Sequence, residues 1–174
     1  MKPIKTQRYH SPYGEILLGS YDNKLCVCDW LDRRTRLSID ARIQKFFGST
    51  YREQPCPVID LAIVQLDEYF SRARSQFDIA LALAGTEFQQ RVWRALLNIP
   101  FGSTLSYLQL AQILGSPSAV RAVANANGAN ALSLFVPCHR IIGSDGSLTG
   151  YAGGVDTKQR LLALESAQQY LQLD

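Results

Sequence analysis

The chain offers little from which to build a covalently stapled or metal-clipped scaffold. Its 174 residues include four cysteines, Cys26, Cys28, Cys56 and Cys138, and two histidines. The cysteines are irregularly spaced and form no CxxC pair, which argues against a disulfide framework and against a zinc ribbon. Reduced thiols, no bound metal and no cofactor are therefore expected. No run of about eighteen apolar residues occurs, and the basic opening MKPIKTQRYHSPYG leads into no apolar stretch. A membrane span and a secretory signal are both unexpected, and the cytoplasm is the default compartment. Internal repeats, low-complexity tracts and long charge runs are also missing. A net charge of +3 with 19% charged residues is compatible with a polyanionic partner but does not require one.

The chain is 47% hydrophobic and long enough for one large domain or two small ones. GEILLGSYDNKLCVCDW holds two apolar stretches around Tyr21, Asp22, Asn23 and Lys24, the chemistry of a β-hairpin turn. RRTRLSIDARIQKFFG and VIDLAIVQLDEYFSRA read as helices, the second with an apolar stripe at Ile59, Ile63, Leu66 and Phe70. The character then changes, and a domain boundary is placed near residue 85, giving domains 1–84 and 85–174.

Beyond the boundary, Thr86 with Gln89 and Ser106 with Gln109 are two capping boxes, each opening a helix, and Gly115 can close the second. Ser116 followed by Pro117 is expected to cap a third helix running to Gly128. Two short helices joined by a Gly-Ser turn suggest a helix-turn-helix. ALSLFV reads as a short buried strand or extended segment, and Asp156 as the N-cap of a last helix.

FVPCHRIIGSDGSLTGYAGG carries the chemistry. A thiol is nucleophilic only as the thiolate, so Cys138 needs a base or a positive neighbour, and His139 is adjacent. On extended backbone the two side chains would diverge, and contact would need a local turn or a bridging water. Glu165 follows Leu161 and Leu162 at helical spacing, which places a carboxylate toward the core, where an imidazole N–H is a suitable partner. The pattern alone fits equally a packed thiol beside an ordinary histidine. Cys26 and Cys28 lie two apart on a strand and read as small apolar residues. Ala119, Ala122 and Ala126 give one helix a face without bulk, suited to close approach to a surface or to another helix. Arg121 is that helix's lone charge.

TEFQQRVWRALLNIPFGSTLSY, SAVRAVANANGAN, VPCHRII and GSLTGYAGG followed by KQRLLALE, in that order, resemble the O6-alkylguanine-DNA alkyltransferases. The resemblance implies an α+β protein of two domains. The N-terminal one would be ribonuclease-H-like with a small antiparallel sheet. The C-terminal one would be mostly helical and winged-helix-like, carrying the helix-turn-helix and the acceptor.

It further implies a monomer that binds double-stranded DNA containing O6-alkylguanine through the minor groove. The base would be flipped and its alkyl group moved irreversibly, once per protein, to Cys138, with O4-methylthymine as a second candidate substrate. His139 would act as base through a water, Glu165 would orient it, and Asn130 would be the hinge. Tyr107 would press on the target phosphate and assist proton delivery. Arg121 would replace the extruded base, with Ala119, Ala122, Ala126 and Ser116 on the groove-facing helix. Ser133, Val136, Pro137, Tyr151, Ala152, Gly153 and Lys158 would line or border the guanine pocket. Ala129 and Ala131 beside Asn130 depart from the family pattern, which implies weaker DNA affinity or a looser hinge. A non-catalytic damage-recognition protein, an alkylation-responsive regulator and a cysteine hydrolase are the competing readings.

Overall fold

The computed structural model describes residues 1–172, with side chains through residue 166. The chain divides into two compact units, Met1–Gly85 and a second beginning at Thr86.

In the first unit, strands β1 (Ile4–Ser11), β2 (Gly14–Tyr21) and β3 (Lys24–Trp30) pair antiparallel. The expected hairpin turn is present: Asp22 and Asn23 both adopt left-handed φ, 50° and 63°, which matches the twist of the flanking strands. A short β4 (Tyr51–Glu53) adds to β1 in parallel, so the sheet, ordered β3-β2-β1-β4, is mixed rather than purely antiparallel. Its three residues follow the helix α1 (Arg36–Phe47), which Gly48 ends in a left-handed conformation. Such a crossover returns the chain in the β1 direction.

Helix α2 (Pro57–Phe70) packs on the sheet through Ile59, Ala62, Leu66 and Tyr69. The buried stripe thus uses Ala62 and Tyr69 where the sequence suggested Ile63 and Phe70, one position along the helix. Cys26 and Cys28 are buried on β3, and burial pushes the Cys26 thiol up to about 12. A thiol so placed is protonated and inert.

The second unit begins with α3 (Glu87–Leu96). Thr86 Oγ1 accepts from Gln89 N at 3.1 Å, and Gln89 Oε1 accepts from Thr86 N at 3.0 Å. Ser106 and Gln109 repeat this reciprocal box at the start of α4 (Tyr107–Ile113). Gly115 closes α4 with φ +74°. The third helix does not start as expected: Ser116 makes no side-chain cap, residues Pro117–Ala119 form a 3-10 turn, and α5 runs Val120–Gly128. The Ala119 N–H, which a capping side chain would take, goes instead to the backbone carbonyl of Ser116 at 2.9 Å. Helix α3 packs on α5, with Val92, Trp93 and Leu96 of the one and Val123 and Ala126 of the other buried, and Trp93 Nε1 donates to the Ala126 carbonyl at 2.8 Å. Strands β5 (Leu105–Ser106) and β6 (Ile141–Ile142) pair in parallel. The last helix, α6 (Val155–Gln172), starts one residue before Asp156, which therefore lies in its first turn rather than capping it.

Candidate active site

The segment before Cys138 is not a strand. Residues 131–136 fold into a wholly buried turn, with Leu134 at φ +75° and Val136 N donating to the Leu132 carbonyl at 2.8 Å. Asn130 explains the compaction. Its Nδ2 donates to the Val136 carbonyl and its Oδ1 accepts from Leu132 N, both at 2.9 Å, so one side chain pins the two ends of the turn. Both bonds form although alanine follows Asn130.

Residues Cys138–Arg140 then make a single 3-10 turn in place of extended backbone. About three residues per turn sends three successive side chains in three directions. Cys138 is buried at 4% exposure, while His139 and Arg140 both turn to Glu165 of α6. His139 Nε2 lies 2.7 Å from Glu165 Oε1. Arg140 grips the same carboxylate with two N–H groups, Nε to Oε2 at 3.0 Å and Nη2 to Oε1 at 2.9 Å. Its Nη1 donates to the Ile99 carbonyl at 2.7 Å, and Gly102 N approaches Glu165 Oε2 at 3.4 Å.

Burial acts to raise the Glu165 carboxyl, but His139 and Arg140 override it and hold the group at about 2. It is therefore an anion. Burial lowers His139 below its usual value, the positive charges of Arg140 and Lys158 push the same way, and Glu165 opposes them. A neutral imidazole bonded to an anionic carboxylate must carry its proton on Nε2. Its Nδ1 is then an acceptor, and that atom is buried with no hydrogen-bond partner in the structure. One ring nitrogen of the residue that follows Cys138 is thus able to accept a proton.

Lys158 brings an ammonium group into the buried part of this unit. Its residue is fully buried, burial lowers its pKa, and the Cys138 charge acts to keep it protonated. Its Nζ donates to the Thr149 carbonyl at 3.1 Å and sits 6.0 Å from the centre of the Tyr107 ring. The pairing of β5 with β6 sets Tyr107, the residue after β5, beside the chain leaving Arg140. The Tyr151 ring meets the His139 ring edge-on at 6.4 Å.

The structure gathers Cys138, His139, Glu165, Asn130, Lys158, Ser133, Val136 and Pro137 as buried residues of this unit, with Tyr107, Tyr151, Ala152 and Gly153 half-buried. On the helix-turn-helix, Arg121 and Ala122 are exposed and Ala119 and Ser116 half-buried. Ala126 is not on that open face: it is buried at 4% exposure and packs toward Trp93. Arg140 was missed as a site residue, although it stands in the quoted PCHR stretch. A predicted buried carboxylate is itself a signal to look for a second cation. Among the described residues, no cluster of three or more His, Cys, Asp or Glu side chains could hold a metal ion.

Fold and site together define a class: a two-domain protein whose helix-turn-helix unit carries a buried cysteine beside a carboxylate-bound histidine. Comparison with known proteins narrows it. Residues 87–167 match the 6-O-methylguanine DNA methyltransferase DNA-binding domain, and residues 4–83 match the ribonuclease-like domain of the same family. The methylated-DNA–protein-cysteine methyltransferase of Mycobacterium leprae is 53% identical over 165 residues, covering 95% of this chain and 94% of the relative. That of Methanosarcina barkeri is 44% identical over 158 residues, covering 89% and 92%. A crystal structure of Mycobacterium tuberculosis OGT in complex with DNA superposes with a TM-score of 0.81 at 39% identity, covering 95% of this chain and 94% of that one. The chain belongs to the 6-O-methylguanine DNA methyltransferase family.

Proposed function

We propose that the protein repairs DNA by direct reversal, taking the alkyl group of O6-alkylguanine in a duplex onto Cys138. His139 Nδ1 accepts the thiol proton through a bridging water, while Glu165 fixes the tautomer and steadies the imidazolium that forms. Lys158 faces the developing thiolate. Cys138 Sγ then bonds to the alkyl carbon as the carbon–O6 bond breaks, and the electron pair leaves with the base. The departing guanine regains a proton, delivered with the help of Tyr107. The products are a thioether and an unmodified guanine. The Cys138 sulfur of a thioether is a poor leaving group, and nothing among the described residues is placed to remove the alkyl group, so each protein is expected to act once.

A buried thiol cannot reach a base inside the stack, so the nucleotide is flipped at a cost of a few kcal/mol. The exposed Arg121 and Ala122, with half-buried Ala119, present the low-relief surface that minor-groove entry requires. Arg121 fills the gap that the base leaves. The domain after Gly85 would carry DNA binding and the acceptor, while the first supports it. The protein would act as a monomer in the cytoplasm, where its thiols stay reduced.

The observation that carries this reading is the buried His139, bonded through Nε2 to Glu165 and with no hydrogen-bond partner at Nδ1, directly after Cys138 in the chain. Intact-mass analysis after mixing with excess duplex bearing one O6-methylguanine tests it, with Cys138→Ser as control. One added methyl per protein, absent in the control, is expected. Tight lesion binding with no mass change would identify a damage-recognition protein instead.

A further inference from the structure

Tyr107 opens α4 and Lys158 lies in the first turns of α6, so nothing local holds them in one place. One loop residue touches both. Thr149 Oγ1 donates to the Tyr107 hydroxyl at 3.0 Å, and the Thr149 carbonyl accepts from Lys158 Nζ at 3.1 Å. The preceding turn is closed by its own backbone, Gly146 N to the Gly143 carbonyl and Gly143 N to the Ser147 carbonyl, each at 2.9 Å. That turn presents Thr149 to the two side chains.

We propose that Thr149 is a positioning residue for alkyl transfer, holding Tyr107 through its hydroxyl and Lys158 through its carbonyl. This rests on the alkyl-transfer reading above. Thr149 O is the acceptor that the structure gives the fully buried Lys158 ammonium among the described residues, so it fixes where that charge points. The ammonium also sits 6.0 Å from the Tyr107 ring centre, which makes the three residues one clamp. Either hydroxyl can supply the proton of this bond, and the arrangement useful to transfer is the one in which Tyr107 accepts. A phenol that accepts from Thr149 keeps its own proton to donate, and accepting a bond polarises that O–H further. Thr149 is exposed, so a hydroxyl-to-hydroxyl bond there adds little to stability and its effect falls on rate.

The test is the single-turnover rate of methyl transfer from an O6-methylguanine duplex, with binding of the same duplex measured in parallel. Thr149→Val keeps the shape and the carbonyl but loses the hydroxyl. It should slow transfer about tenfold, leave the duplex Kd unchanged, and leave the pH profile of Cys138 alkylation by iodoacetamide unchanged because Lys158 keeps its acceptor. Thr149→Ser should restore the rate. In a Tyr107→Phe background, Thr149→Val should add nothing further. A Thr149→Val protein at the unaltered rate, or one slowed equally in the Tyr107→Phe background, would overturn the proposal. Absence of transfer by the unaltered protein would instead overturn the alkyl-transfer reading on which it stands.

Discussion

Asp29 in the N-terminal unit and Glu165 in the C-terminal unit are both cut off from solvent and both gripped by arginine, yet their pKa values are shifted in opposite directions. Asp29 accepts from Arg33 Nη1 at 3.1 Å and Arg36 Nη1 at 2.9 Å, and burial still raises its pKa. Glu165 is held at about 2. The partners differ in kind: two arginines meet Asp29, one arginine and an imidazole meet Glu165. Arg36 divides its charge between Asp29 and Asp40, reaching Asp40 Oδ1 at 2.7 Å, whereas Arg140 gives two N–H groups to one carboxylate and His139 adds a third. A buried carboxylate closed by guanidinium groups is framework. The same group with an imidazole attached, whose far nitrogen is unpartnered, can serve a reaction.

The contrast can be broken most severely at the imidazole. His139→Asn should slow transfer to Cys138 by about 10³-fold at neutral pH, read by single-turnover kinetics. Next come the carboxylates. Glu165→Ala and Asp29→Ala each strand a buried guanidinium and should each cost about 3–5 kcal/mol in denaturant unfolding. Only Glu165→Ala should also reduce the transfer rate of the protein that stays folded; an equal loss in Asp29→Ala would erase the distinction between the two units.

Acid should separate them again. Glu165 is held below its ordinary value of 4.5, so the stability it contributes is complete above that pH and is lost as pH falls toward about 2. His139, held below 6.5, adds a loss of the same sign, because the unfolded chain takes up that proton first as pH drops. Unfolding free energies should therefore fall by a few kcal/mol from about pH 7 to about pH 3. That slope should flatten in Glu165→Gln and survive in Asp29→Asn. The smallest effect is local. Asn130→Ala removes two buried hydrogen bonds and should cost about 1–3 kcal/mol, with slower transfer as the turn before Cys138 loosens.

Much of this was legible where one residue type decides one local structure. The capping boxes at Thr86 and Ser106, the Asp22 and Asn23 turn and the closing Gly115 all appear as read, because each satisfies its own backbone within a few residues. Ser116 and Asp156 failed as caps because a helix start also depends on how the preceding loop arrives. ALSLFV is apolar because it is buried, and its bend is imposed by the side chain of Asn130, the residue just before it. The bond between His139 and Glu165 was anticipated from helical spacing. Arg140 on the same carboxylate, and Thr149 between Tyr107 and Lys158, depend on contacts between segments distant in sequence and left no periodic trace.

The central claim is that one thiol of four is built to react. It is tested most directly by peptide mapping of all four cysteines after exposure to excess O6-methylguanine duplex. The account predicts a single methyl on the Cys138 peptide, with Cys26, Cys28 and Cys56 unmodified. Methylation shared among the cysteines, or an unmodified Cys138 in protein that has bound the lesion, would contradict it.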